Sequence, residues 1–387
     1  MKRIGLRIIL AVASTALSSG RSDANEQNPS DNRLLVWMLQ FGRHVKEPTG
    51  WTEYEHRKID DMAFSPDDQR LAVTITHNGL SPYKDAHAGI HVLVVGLHSP
   101  ETNIRQFDLS DTCGRGLAWS PSGSALVVCG TVLRLTDGAS CDATGTPPIF
   151  REQSQLRAFW LDSEHVIISH TGKILDMACH QIGRWPLEQS WWIGEVFPSK
   201  GWVLLEHTQV YPPDVSCEYS IVDRFSHRTL DGWPIRKSSF GASMALAVGT
   251  GAFCFNVEGG RLHCREVDGG KEIPVPSQAR KYLVSQAATS SSRILIEKWE
   301  YEDPWWARFL SLLLFWWVPE DGPPPIPIRR AVLDIRSGNW ISSWKPSTQD
   351  SRSAYTMDHP YHRALSTSGE FLAENGDGAL EIYRLPR

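Results

Sequence analysis

The chain has 387 residues, with 41% apolar and 21% charged side chains, a formal charge of −5 and a pI near 6.3. This composition excludes wholesale disorder, because it supplies enough apolar surface for a core. It also lacks the basic footprint of a nucleic-acid binder, and no Lys/Arg run supplies one locally.

Lys2, Arg3 and Arg7 precede an uncharged apolar stretch from Ile8 to Leu17, and Ser22-Asp23-Ala24 follows as a small-x-small cleavage site. Residues 1–24 therefore read as a signal peptide, with an apolar core well short of the roughly 20 residues that span a bilayer. Export to a periplasmic or extracellular space follows as the expectation. Residues 25–32 are polar and read as a flexible lead-in. Arg33 to Leu39 is then strongly β-prone.

Two later segments match one another closely: Met62-Ala63-Phe64-Ser65-Pro66-Asp67-Asp68 with its return to Val73, and Leu117-Ala118-Trp119-Ser120-Pro121-Ser122-Gly123 with its return to Val128. Each is an apolar strand end, an aromatic, a Ser-Pro turn and a β-branched return strand. Proline presets φ in such a turn, and Ser, Asp and Gly complete the reversal. Degenerate copies centre on Phe159, Phe197, Phe240, Ala288 and Leu365. Most intervals lie near the ~40 residues of one four-stranded blade, and the longer ones imply insertions. The Ser-Pro hairpins resemble those of bacterial WD40-like and TolB-like propellers, and Val332-Leu333-Asp334 to Gly338 resembles their third-strand motif. The Trp-Asp and Gly-His dipeptides of WD40 repeats are missing. This resemblance implies an all-β propeller of about seven blades over residues 33–387. No fourth strand follows Ala379–Tyr383 before Arg387, so the N-terminal strand is expected to complete the last blade.

There are seven cysteines. Cys254 and Cys264 flank Glu258-Gly259-Gly260, a hairpin loop whose register sets them opposite each other, as a disulfide or as two small buried residues. Cys113 and Cys129 flank a second predicted hairpin. The histidines form no His-x-His or Cys-x-x-Cys cluster, and no phosphate-binding glycine loop occurs, so no metal or cofactor is expected.

Between the sixth and seventh anchors, a hydrophobic insertion at about 300–328 contains Trp305, Trp306, Phe309, Leu313, Phe315, Trp316 and Trp317, bracketed by Pro304 and Pro319. Tryptophan pairs around aliphatics suit a membrane surface, a hydrophobic element folded onto the propeller, or an interface with a protein. The expectation is a monomeric, noncatalytic scaffold that binds an unidentified protein or peptide, able to sit at a membrane surface through residues 304–319. The alternative is a propeller enzyme or carbohydrate-binding propeller with its site at the central channel mouth.

Overall fold

A computed structural model describes residues 31–40, 56–78, 90–98, 103–109, 116–128, 130–145, 157–188, 190–211, 214–236, 246–249, 251–257, 261–267, 269–300, 326–346, 363–375 and 379–387. The leader, Cys113, Cys129 and residues 301–325 lie outside them. Among the described residues, the strands make seven four-stranded antiparallel sheets. Blade 1 comprises β2 (His56–Phe64), β3 (Arg70–Asn78), β4 (Ile90–Gly96) and β5 (Ile104–Leu109). Blade 2 comprises β6 (Ala118–Trp119), β7 (Ala125–Val128), β8 (Thr131–Arg134) and β9 (Ser140–Asp142). Blade 3 holds β10 (Ala158–Trp160), β11 (Val166–Ile168), β12 (Lys173–Leu175) and β13 (Gln181–Arg184). In blade 4 are β14 (Trp191–Phe197), β15 (Trp202–Tyr211), β16 (Asp214–Asp223) and β17 (Thr229–Arg236). Blade 5 holds β18 (Leu246–Val248), β19 (Ala252–Val257), β20 (Arg261–Glu266) and β21 (Glu272–Ile273), and blade 6 holds β22 (Leu283–Ala287), β23 (Arg293–Glu300), β24 (Ile326–Asp334) and β25 (Trp340–Trp344). In blade 7, β26 (Arg363–Leu365), β27 (Phe371–Asn375) and β28 (Ala379–Arg384) come from the C-terminus, and β1 (Leu34–Gln40) pairs with β28 as the fourth strand.

The protein is thus a seven-bladed β-propeller closed by its N-terminal strand. Its core is divided among seven seams, one between each pair of neighbouring blades. Side chains alternate across a strand, so both faces of a blade must be apolar. In β7, Leu126 and Val128 pack toward blade 1, whereas Ala125 and Val127 pack toward blade 3. This is why the return strands read as unbroken apolar runs rather than as alternating ones.

The two Ser-Pro turns and the Ser366-Thr367 turn of the last blade have one shared geometry. Ser65, Ser120 and Ser366 are fully buried, and their hydroxyls accept from the amides of Arg70, Ala125 and Phe371 at 2.9, 3.1 and 3.0 Å. Three residues on, Asp68, Gly123 and Gly369 all take positive φ, the conformation that favours Gly, with Asp tolerated. Asp68 uses it to accept from the amides of Thr367 and Ser368, at 2.7 and 2.8 Å, tying the first blade to the last. The aromatics that end β6 and β10 also reach backwards around the ring. Trp119 Nε1 donates to the Ala63 carbonyl, and Trp160 Nε1 to that of Ala118.

The fifth repeat is displaced from its sequence assignment. The innermost strand of blade 5 is Leu246–Val248, and Phe240 lies outside the described residues. Leu246–Val248, which the sequence copy around Phe240 sets in the return strand, is therefore the first strand of its blade, and Ala252–Val257 is the return. Without a Ser-Pro turn, the apolar run alone does not set the phase.

Candidate functional site

Connections from second to third strands, and from one blade to the next, all emerge on one face of the ring. Two of its hairpins are tall. The β15–β16 ladder runs ten residues to Tyr211 and Asp214, and β23–β24 pairs out to Glu300 and Ile326. Pro327 has no amide to give the ladder, and the pairing shifts register beside it, between Lys298 and Trp299. Segment 301–325 therefore leaves and re-enters the sheet at this face, between the second and third strands of blade 6. All seven aromatic and aliphatic residues singled out from Trp305 to Trp317 fall in that segment, outside the described residues.

Just below these stems lies a buried ionic cluster on the seam between blades 6 and 7. Glu297 of β23 accepts from Arg330 Nε of β24 at 2.9 Å and from Arg363 Nη2 of β26 at 2.9 Å. Glu374 of β27 accepts from Arg330 Nη1 and Trp344 Nε1, both at 3.1 Å, and from Arg33 at the start of β1. The five charged side chains are between 2% and 9% exposed. Arg33 also stacks between Trp344 and Tyr383, 4.1 and 4.2 Å from the ring centres. The insertion is thus rooted in the part of the ring where the N-terminal strand is locked in.

The same face carries a second polar group between blades 3 and 4. β14 bulges at Gly194, with Ile193 opposite Leu205 and Glu195 opposite Leu204. The Glu206 carboxylate lies over that glycine, so close that a Cβ there would stand 2.2 Å from Oε1. Trp192 Nε1 donates to Glu206 Oε2 at 3.1 Å, His170 lies 5.9 Å from the Trp192 ring, and His207 stacks on Trp191 at 5.1 Å. Burial pushes the neighbouring Glu195 carboxyl up to about 7; Arg157 opposes this, and Glu206 adds to it. Inner strands β2 and β22 bulge in the same way at Asp60 and Ser285. There the following residue serves the ring: Asp61 accepts from the amides of Met62, Gly116 and Leu117 at 2.8, 2.9 and 2.9 Å. Burial outweighs those three bonds and lifts its carboxyl to about 7. Gln286 in turn bonds the Arg363 carbonyl and the Leu365 amide.

His165, His170 and His180 all belong to blade 3, and only His207 to blade 4. Each of His165 and His180 faces a local aspartate, Asp162 and Asp176. No cluster of metal-ligating side chains occurs among the described residues. Cys254 and Cys264 oppose each other in β19–β20, Cα atoms 4.1 Å apart, and form a disulfide. A second disulfide, Cys141–Cys179, was not anticipated. It joins β9 of blade 2 to the β12–β13 turn of blade 3, across 38 residues. No hairpin relates that pair, so only the blade phase could have suggested it.

No protein-family model matches the sequence, and no curated protein matches it significantly. Solved structures do resemble the fold. A chain of the Mitotic Checkpoint Complex aligns over 97% of this chain and 98% of its own, at 13% identity and TM-score 0.50. BamB from Moraxella catarrhalis aligns over 96% and 99%, at 12% identity and TM-score 0.42. A chain of Kuenenia stuttgartiensis Hydrazine Synthase aligns over 87% and 99%, at 13% identity and TM-score 0.46. A likeness at 13% identity establishes the fold alone: the chain is a seven-bladed β-propeller.

Proposed function

We propose that the chain is a noncatalytic, exported scaffold that binds a protein or peptide on the face carrying the 301–325 connection. Residues 304–319 are its contact element, and they also let it lie against a membrane surface. The carrying observation is that all seven sheets and all seven seams are complete among the described residues without any of residues 301–325. The seven four-stranded sheets take no strand from that segment, and an apolar segment of this size calls for a partner. Its stems rise from the buried ionic cluster, a rigid base for such a contact.

Replacing Trp305, Trp306, Trp316 and Trp317 with Ser tests this. The thermal midpoint should move by no more than about 2 °C, as for surface substitutions outside the core. Flotation with liposomes, or capture of the partner from the native envelope, should be lost. A fall of many degrees would make the segment part of the core and overturn the proposal.

A second reading rests on the group around Gly194. A tryptophan edge, two neighbouring carboxyls and two histidines at the inner end of blades 3 and 4 suit a polar small ligand such as a carbohydrate. The elevated Glu195 carboxyl is the feature that favours it.

A further inference from the structure

We infer that the Cys141–Cys179 disulfide is a redox-operated clamp on the seam between blades 2 and 3, which a dithiol reductant opens while the ring stays folded. This seam is built from the least material. No strand of blades 2 and 3 exceeds four residues, whereas each other blade has a strand of six or more. Ala125, Ala143 and Ala158 are buried in the seam, and among the described residues Trp160 is its only aromatic. Alanines bury little apolar area, so packing holds this junction less firmly than its neighbours. Cys141 and Cys179 lie against that cluster and join its outer rim.

The two disulfides differ in access. Cys254 and Cys264 are 0% and 1% exposed and belong to one hairpin. Cys141 and Cys179 are half-buried, and each stands between two exposed residues: Ser140 and Asp142 in β9, and Ala178 and His180 in the β12–β13 turn. Cys179 also has a φ of 62°, a conformation that a β-carbon disfavours. The matching turns of blades 2, 5 and 6 give that conformation to Gly138, Gly270 and Gly338, and the turn of blade 4 gives it to His227. Disulfides that are exposed, or that hold strained residues, are the readily reduced ones. The Asp176 carboxylate accepts from the Ala178 and His180 amides, both at 2.9 Å. Those bonds stay within the turn, so the turn keeps its shape when it parts from β9.

The step is a thiol–disulfide exchange. One thiolate of the dithiol attacks one sulfur of the pair, and the other sulfur leaves as a thiolate. The dithiol's second thiolate then cleaves the mixed disulfide and frees the first cysteine. The dithiol gives up two electrons and becomes a disulfide, and its two protons end on Cys141 and Cys179. The β1–β28 ladder and the ionic cluster still close the ring through blades 6 and 7. Opening is therefore confined to the rim where β9 meets the β12–β13 turn.

Reduction of the folded full chain tests this. Free thiols are blocked with N-ethylmaleimide, dithiothreitol is added without denaturant, and newly freed cysteines are alkylated with iodoacetamide and located by mass spectrometry. Cys141 and Cys179 should be labelled together, while Cys254 and Cys264 are not. Amide exchange at 140–142 and 176–180 should then rise at least about tenfold, with the β1–β28 ladder unchanged. Cys141→Ala combined with Cys179→Gly, which suits the turn, should exchange like the reduced chain and ignore dithiothreitol. Four results would each overturn the inference: labelling of Cys254 and Cys264 as fast as the other pair, exchange at 140–142 and 176–180 that reduction leaves unchanged, loss of protection throughout the ring, or a double variant that exchanges like the oxidised chain.

Discussion

A chain lacking residues 31–40 should lose at least ~5 kcal/mol of stability, and its thermal midpoint should fall by about 7 °C or more. β1 pairs six of its residues with β28, so its loss removes a full ladder and bares the β28 edge. Arg33 goes with it, and Glu374 loses a guanidinium in a site where both side chains are 9% exposed. More is lost than one strand. β1 is the only strand that comes from the far end of the chain, so it alone ties blade 7 covalently to blade 1. What then remains at that junction is the apolar seam of Ile59, Met62, Leu71 and Val73 against Ala364, Ala373, Leu380 and Ile382, together with the Asp68 bonds. For a chain of this length the unfolding entropy is roughly 0.7 kcal/mol/K, which converts the loss into the stated shift. Differential scanning calorimetry measures it. A midpoint within about 2 °C of the native value would mean that the ring closes by packing alone.

Glu374→Ala should cost about 3–5 kcal/mol, the typical penalty for removing one partner from a buried ionic group. The carboxylate serves Arg33, Arg330 and Trp344 at once. Without it, two guanidiniums share a pocket whose remaining carboxylate, Glu297, is already bonded to Arg330 and Arg363. Arg33 keeps its pair with the more exposed Asp31, but Arg330 and Arg363 are left against the single carboxylate of Glu297, a net positive charge in a buried seam. Glu374→Gln keeps an acceptor of the same shape and should lose less than Ala. Urea unfolding gives both values, and a cost below ~1 kcal/mol for the alanine variant would mean that the seam is solvated.

What could be read in the sequence follows from locality. The Ser65 and Ser120 turns were legible because each is fixed within six residues, by a serine hydroxyl, a proline and a positive-φ position. The closing strand was legible because blade 7 ended one strand short. Blade 5 was misphased because Leu246–Val248 has neither the turn nor an aromatic to set the register. The Cys254–Cys264 pairing needed only hairpin arithmetic, whereas Cys141–Cys179 joins two blades. The ionic cluster was out of reach for the same reason: Arg33, Glu297, Arg330, Arg363 and Glu374 meet only because the ring brings blade 7 back to the N-terminus. Likewise, Glu206 meets Gly194 only through the β14 bulge.

Site-specific photo-crosslinking in the native envelope tests the binding proposal most directly. A benzophenone side chain is placed at Phe309, in the insertion, and separately at Trp192, beside Glu206. If residues 304–319 are the contact element, position 309 forms a discrete adduct with a protein or with lipid, and position 192 does not. Adducts from position 192 alone, with none from 309, would contradict the proposal and transfer the function to the group around Gly194.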